Sequence, residues 1–449
     1  MRALLINPWI YDFAAYDLWS KPVGLLTIAS HLKNAGWQIG LIDCLDRFDP
    51  DLRRHTGKPP HTTGYGSGSY YFEAIEKPAV LKGIPREFKR YGLPAGLFKE
   101  KLAREERPDI ILVTTGMTYW YPSYADTVKI LKETFPGVPV MLGGIYASLC
   151  YDHACKYSGA DLVHRGSEMD GIFASIYKIT GAGPGKRKNS SESLFPYYDL
   201  YPDLHYATLR TSKGCPFRCT YCGWYFLDRS YSRLDPGAVV GEIAHLNRKL
   251  NVKDFSFYDD ALLYDAEDHI IKILEGILAE NIKACFHTPN GLHSVFMTRE
   301  IADLFKRCGF VRPRLALETA SPAGQKATGA KTTNEDFLRA VSSLRDAGYR
   351  PGEAGAYILI GLPGQTIKEV EESVKFAAAQ DVRIFLEEYS PIPGTPDYER
   401  SGLGENLDPL LHNNSIFWLH DAGQRREYQR IKDRVRGLNQ RIRGSCLPL

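Results

Sequence analysis

Apolar residues along this chain fall into two alternating patterns: short continuous runs, and longer stretches with an apolar side chain every three or four positions. The first predicts buried strands and the second amphipathic helices. In the first 180 residues the two patterns alternate. Residues 3–8 (ALLINP), 38–46 (QIGLIDCLD), 109–116 (DIILVTTG), 139–144 (PVMLGG) and 161–166 (DLVHRG) read as strands. Residues 23–36, 123–135 and 147–159 read as helices between them, the first and last stopped by glycine. This alternation predicts an α/β, Rossmann-like doubly wound domain with a parallel sheet. Ligands on such sheets sit at the carboxyl ends of strands, here near Pro8, Thr114–Met117 and Gly143–Gly144. Residues 47–107 break the alternation with a segment rich in glycine, serine and aromatics (HTTGYGSGSYYF at 61–72), either a functional insertion or a disordered one.

Residues 181–193 (GAGPGKRKNSSES) have linker composition. Beyond them the strand-then-helix signal repeats, with strands expected at 205–212, 254–260, 283–289, 312–320, 356–364 and 383–391. Six such units predict a partial (β/α) barrel, in which chemistry sits at the carboxyl ends of the strands. The expected organisation is a doubly wound domain over 1–180, a linker over 181–204, a six-unit barrel over 205–400 and a helical extension over 401–449, including a basic helix at 426–444 expected to present a solvated face.

Composition adds exclusions. The chain has 449 residues, 44% hydrophobic and 24% charged, with a net charge of +3. That balance gives no electrostatic case for nucleic acid or an anionic membrane. The start reads as a strand instead of a signal peptide, and no run approaches the roughly 18 apolar residues of a membrane span. A cytoplasmic protein is expected, and in a reducing compartment its nine cysteines would not form a disulfide framework.

Three of those cysteines, Cys215, Cys219 and Cys222, lie in one loop, SKGCPFRCTYCGWY, directly after the first barrel strand. Three thiolates can hold three corners of a cubane iron–sulfur cluster and leave the fourth iron open to a small molecule. The alternative is a zinc site, with Asp228 or His205 as the nearest fourth ligand by sequence. The loop GCPFRCTYC resembles the CxxxCxxC signature of radical S-adenosylmethionine (SAM) enzymes, and LALETASP, YILIGLPGQT and YSPIPGTPDY resemble later strand ends of that family's barrel, over roughly residues 206–398. The resemblance implies a 4Fe–4S cluster on Cys215, Cys219 and Cys222, with SAM on the open iron and a reductant such as flavodoxin or ferredoxin as partner. It further implies that Tyr221 lies against the adenine, that Asp259, Asp260, Asn290 and Glu318 face SAM or substrate, and that the Gly361–Pro363–Gly364 turn approaches the adenine. Loop packing, helix capping and turn chemistry are the structural alternatives for these positions.

The first half resembles the cobalamin-binding domains that precede such barrels, through KPVGLLTIASHLKNAGWQIGLIDCLD, PDIILVTTGMT and VPVMLGGIYAS. That implies a cobalamin held at Thr114, Thr115, Gly143 and Gly144. The D-x-H-x-x-G motif that supplies a cobalt-ligating histidine in those domains is absent after Pro8, and His31 falls on the first helix. With both cofactors, the expected reaction is methylation of an unactivated carbon. A radical rearrangement or ring closure is a second outcome. Methylthio transfer is a third, but it needs three more converging cysteines, and Cys150 and Cys155 fall on one predicted helix, apart from Cys44. A non-enzymatic cobalamin or redox sensor is the fourth. The aromatic runs at 70–71, 119–121 and 224–226 are expected as packing or as an apolar wall for substrate.

Overall fold

The run Ala3–Ile6 is wholly buried, as expected of a strand flanked on both faces by helices. It lies in β1 (Arg2–Asn7), which pairs in parallel with β2 (Gln38–Asp43) on one side and β3 (Ile110–Thr115) on the other. β4 (Val140–Gly144) and β5 (Leu162–Val163) complete a parallel sheet of order β2-β1-β3-β4-β5. The helix Val23–Asn34 turns Leu25, Leu26, Ala29 and Leu32 inward. Leu25, Ala29 and Leu32 form a core cluster with Leu5, Leu112, Met141, Phe173 and Ile176. Each such side chain contributes about 1.5–3 kcal/mol by leaving water.

The computed structural model describes residues 1–182, 195–228, 230–404, 407–417 and 425–444, in two units. Unit 1 comprises Met1–His205, Phe226–Asp228 and Asp408–Asn413; unit 2 comprises Tyr206–Tyr225, Arg229–Leu407 and Asn414–Leu449. All five strands expected in the first half form. The helix expected at 147–159 is broken into Ile145–Leu149 and Tyr151–Tyr157 at Cys150, where ψ turns to 49°. Cys150 and Cys155 therefore do not share one continuous helix.

The 47–107 segment folds. It contributes the helices Pro50–Thr56 and Ala95–Arg104 and two short strands, Phe72–Ala74 and Lys89–Tyr91, which join Ile10–Asp12 in an antiparallel sheet. Arg47 organises its glycine-rich loop. The guanidinium pairs with the fully buried Asp17 at 2.7 Å and donates to the carbonyls of His61 and Gly66.

Most of the expected linker core lies outside the described residues, but residues 195–205 belong to unit 1. Ser30 Oγ donates to the Phe195 carbonyl at 2.5 Å, and the Tyr201 hydroxyl donates to Asp43 at 2.6 Å. Sequence pattern could not show this, because the anchors are single polar side chains on distant elements.

Unit 2 holds two parallel sheets. β6 (Tyr206–Leu209), β7 (Asp254–Phe257) and β8 (Cys285–His287) run in the order β8-β7-β6. β9 (Leu292–His293), β10 (Arg314–Glu318), β11 (Gly355–Ile360) and β12 (Arg383–Glu388) form the second in that order. The six expected strands are all present, and β9 is an addition. Three of the helices between them start on side-chain caps: Asp235 accepts from Ala238 N–H at 2.8 Å, and Thr333 and Thr366 form capping boxes with Asp336 and Glu369. The basic helix forms at Arg425–Gly444, but it is not solvated all round. Tyr428, Ile431, Val435 and Ile442 are buried, and Asn439 grips both backbone groups of Ile384 on β12 at 2.8–2.9 Å.

Candidate functional site: a three-thiol loop

The loop bearing Cys215, Cys219 and Cys222 is held at both ends. At its start, Asp259 Oδ1 accepts hydrogen bonds from the backbone N–H and hydroxyl of both Thr211 and Ser212, at 2.5–2.9 Å. Ser212–Lys213 then pairs antiparallel with Ser232–Arg233, closing the base of the loop. Gly214 adopts φ +75°, and a Cβ there would stand 2.5 Å from the Ser230 carbonyl, so a larger residue would force the two ends apart. At the far side, Thr220 Oγ1 donates to Asp397 at 2.8 Å, and Asp397 N–H donates back to the Thr220 carbonyl at 3.1 Å. Gly329 closes against Cys219, where an added Cβ would lie 3.2 Å from the Cys219 Cα.

All three thiols are free of disulfides. Burial pushes each of them up, Cys222 to about 11, and the ammonium of Lys331 works against that push on all three. Lys331 is itself enclosed. Burial disfavours its charge, but Glu318, at 2.6 Å, and the neighbouring thiols more than offset this and hold its pKa above the usual lysine value. Glu318 reaches this position through a local irregularity. The β10–β11 register slips between Ala316 and Glu318, and Glu318 adopts φ +63°. A bulge of that kind re-aims a side chain.

The expected site residues separate into two groups. Tyr221 packs against Leu359, Leu362 and Tyr389, so the Gly361–Gly364 turn does lie beside the cysteine loop. Gly361 (φ +88°) and Gly364 (φ +79°) make that turn, which Gln365 ties by accepting from Gly361 N–H at 2.9 Å. The Glu318–Lys331 pair belongs to the same group, since Lys331 lies 5.7 Å from the Tyr221 ring centroid. Asp259 and Asn290 are engaged by neighbouring backbone. Asp259 is spent on the loop start, although its Oδ2 has no partner among the described residues. Asn290 gives both amide hydrogens to the Tyr258 and Asp259 carbonyls at 3.1 Å. Asp260 lies 3.8 Å from Arg210. A doublet of aspartates at a strand end could not reveal which would be drawn in to anchor the loop.

Sequence reading passed over three side chains. Lys331 sits in a loop with no local signal. His293, on β9, brings Nε2 to 3.9 Å from Cys215 Sγ; burial holds its pKa down to about 3. Glu387 lies on the strand face opposite Glu388, which pairs outward with Lys432 of the C-terminal helix. Glu387 is exposed to solvent.

In unit 1 the strand order reverses direction between β1 and β3, and the carboxyl ends of those strands mark the crevice where such sheets take ligands. Thr114 and Thr115 end β3 beside Gly143 and Gly144, which end β4. Thr115 Oγ1 donates to the Gly143 carbonyl at 2.9 Å. Gly144 (φ +104°) is required by the backbone, because a Cβ would stand 2.4 Å from the Thr115 carbonyl. Gly143 is different: a Cβ there would meet nothing within 4 Å, so the strand end has room beside it. The C-terminal segment returns here. His412 Nδ1 is 3.0 Å from Thr118 Oγ1, and Asn413 donates at 2.8 Å to Asp12, which also accepts from Trp120 Nε1. Tyr119 is buried and Trp120 is committed to Asp12, so this aromatic run serves packing within unit 1. His31, on the helix Val23–Asn34, lies against Phe173 with ring centroids 5.4 Å apart and planes tilted by 58°.

Three soft sulfur donors on one braced loop, with a cation beside them and no disulfide, fit an iron–sulfur cluster with an open corner. The zinc alternative gains nothing. Asp228 accepts from Ser167 Oγ, and His205 stacks on Phe48 with centroids 3.7 Å apart. No described helix is long and apolar enough to cross a membrane.

Residues 209–377 match the radical SAM superfamily. The chain is 25% identical over 335 residues to an uncharacterized methyltransferase of Pyrococcus horikoshii, covering 67% of this chain and 70% of that one. It is 22% identical over 387 residues to the anaerobic magnesium-protoporphyrin IX monomethyl ester cyclase of Rubrivivax gelatinosus, covering 73% and 69%. Among solved structures, the radical SAM methyltransferase TsrM of Kitasatospora setae, with cobalamin and a [4Fe-4S] cluster bound, superimposes with a TM-score of 0.62 at 15% identity over 88% of this chain and 73% of that one, a likeness of fold. Residues 209–377 therefore carry a radical SAM domain.

Proposed function

We propose that this enzyme uses a 4Fe–4S cluster and cobalamin to methylate an unactivated carbon. The observation that carries the radical half is the braced, disulfide-free trio Cys215, Cys219 and Cys222 within the matched domain. When bound, the cluster supplies the electron that cleaves SAM reductively, and cobalamin supplies a methyl carrier. The three thiolates would hold the cluster and leave one iron for the amino and carboxyl groups of SAM. The Glu318–Lys331 pair offers a carboxylate and an ammonium beside the thiols, which would match the opposite charges of an amino acid head. Tyr221, Leu359 and Leu362 with the Gly361–Gly364 turn would form an apolar seat for the adenine and exclude water from it.

Cobalamin would lie at the strand ends of unit 1. The switch between β1 and β3 and the open space at Gly143 support this, as does the cobalamin named in the TsrM structure. The D-x-H-x-x-G motif that would supply a cobalt-ligating histidine is absent after β1. Ring closure is the second reading, favoured by the similarity to the Rubrivivax cyclase. The expected reductant is a flavodoxin or ferredoxin.

The test is SAM turnover. Anaerobically reconstituted protein with dithionite and SAM should release 5′-deoxyadenosine, and Cys215→Ala should release none. Wild-type protein that holds its cluster but leaves SAM intact would refute the radical reading.

A further inference from the structure

We propose that His293 is a positioning residue for the cluster: its Nε2–H donates a hydrogen bond to the sulfur of Cys215 and so stabilises the reduced cluster. This rests on the reading that Cys215 ligates iron.

His293 is the second residue of β9 and only 4% exposed. Its ring is held in place by the loop it serves. Phe217, two residues after Cys215, stacks on it with centroids 4.9 Å apart and planes 15° from parallel, and Phe296 flanks it at 6.1 Å. The strand register Leu292↔Leu315 and His293↔Ala316 fixes the backbone beneath it. The next residue, Ser294, bonds the Ala316 carbonyl at 2.8 Å. Nε2 then faces Cys215 Sγ at 3.9 Å. A thiolate bound to iron can only accept, so the proton must sit on Nε2, which selects the tautomer.

Two polar groups thus act on the thiols in different ways. Lys331 opposes the burial of all three by its charge. His293 reaches one sulfur by a directed bond. A hydrogen bond to a ligating sulfur draws electron density from it and raises the cluster's potential. A ring that merely filled space could be replaced by phenylalanine, which would stack on Phe217 equally well.

The experiment is an EPR-monitored redox titration of anaerobically reconstituted wild type, His293→Phe and His293→Gln, with iron counted in each. With four irons retained, His293→Phe should lower the reduced-to-oxidised ratio at a fixed potential about tenfold, or ~59 mV for one electron. His293→Gln, which keeps an N–H, should fall closer to wild type. Full iron and an unchanged potential in His293→Phe would overturn the inference and leave the cluster reading intact. Absence of iron in wild type would overturn both. Pulsed EPR of the reduced wild-type cluster in ¹⁵N-histidine-labelled protein needs no variant. An imidazole nitrogen coupling supports the bond, and its absence contradicts it.

Discussion

The carboxyl ends of the two parallel-sheet systems were assembled in opposite ways. In unit 2 the three thiols come from one loop, within eight residues; distant elements brace it, through Asp259, Gly329 and Asp397, or reach it with single polar side chains, Glu318, Lys331 and His293. In unit 1 no local run carries the site. Its strand-end edge is made by Asp12, Thr115, Thr118 and Gly143, joined by His412 and Asn413, which lie 294 and 401 residues beyond their partners Thr118 and Asp12. A site written in one loop keeps its ligands through any change that leaves the loop braced. A site written in topology depends on the sheet order and on the return of a terminal segment.

The largest contrast is expected from Cys219→Ala. It should reduce iron from about four to under one per chain while leaving the circular dichroism spectrum and any cobalt content unchanged. Loss of cobalt together with iron would break the division between the two sites.

Next in size is the ion pair beside the thiols. Lys331→Met leaves Glu318 without its partner, and removing one member of a buried pair costs about 3–5 kcal/mol. The double variant Lys331→Met/Glu318→Met should recover most of that in denaturant titrations of the apo protein. A single variant as stable as wild type would show that the pair is solvated and contributes little.

The two glycines of unit 1 separate fold from ligand. Gly144→Ala places a Cβ against the Thr115 carbonyl at a positive φ and should destabilise the sheet by about 1–3 kcal/mol. Gly143→Ala meets open space, so stability should hold while cobalt retention falls severalfold. Equal cobalt retention in Gly143→Ala and wild type would remove the strand-end site.

The smallest effect is one of pH. Burial lowers His412 in unit 1 and His269 in unit 2 to about 4. The unfolded chain then binds more protons than the folded one between about pH 6.5 and 4. Stability from each neutral ring is complete above about 6.5 and is lost as pH falls toward 4. His412→Asn should make this slope shallower, read as the difference between urea midpoints at pH 7 and pH 4.5.

Legibility followed the same division. The strands of both units were visible because apolar runs are local, and the cysteine loop because its spacing is local. The Gly361–Gly364 turn and Tyr221 proved neighbours because both lie at strand ends of one sheet system. What could not be read depended on long-range polar choices. Asp259 was absorbed as an anchor, Lys331 entered from a featureless loop, and a β-bulge turned Glu318 toward it. The helix break at Cys150 and the return of residues 408–413 to unit 1 likewise have no periodic signature.

The central claim is that one chain holds two cofactors at two strand-end sites. Its most direct test is elemental analysis of iron, cobalt and zinc on protein made and purified without oxygen from cobalamin-fed cells. The account predicts about four irons and one cobalt per chain. One zinc with little iron would contradict the reading of Cys215, Cys219 and Cys222, and four irons without cobalt would contradict the reading of unit 1.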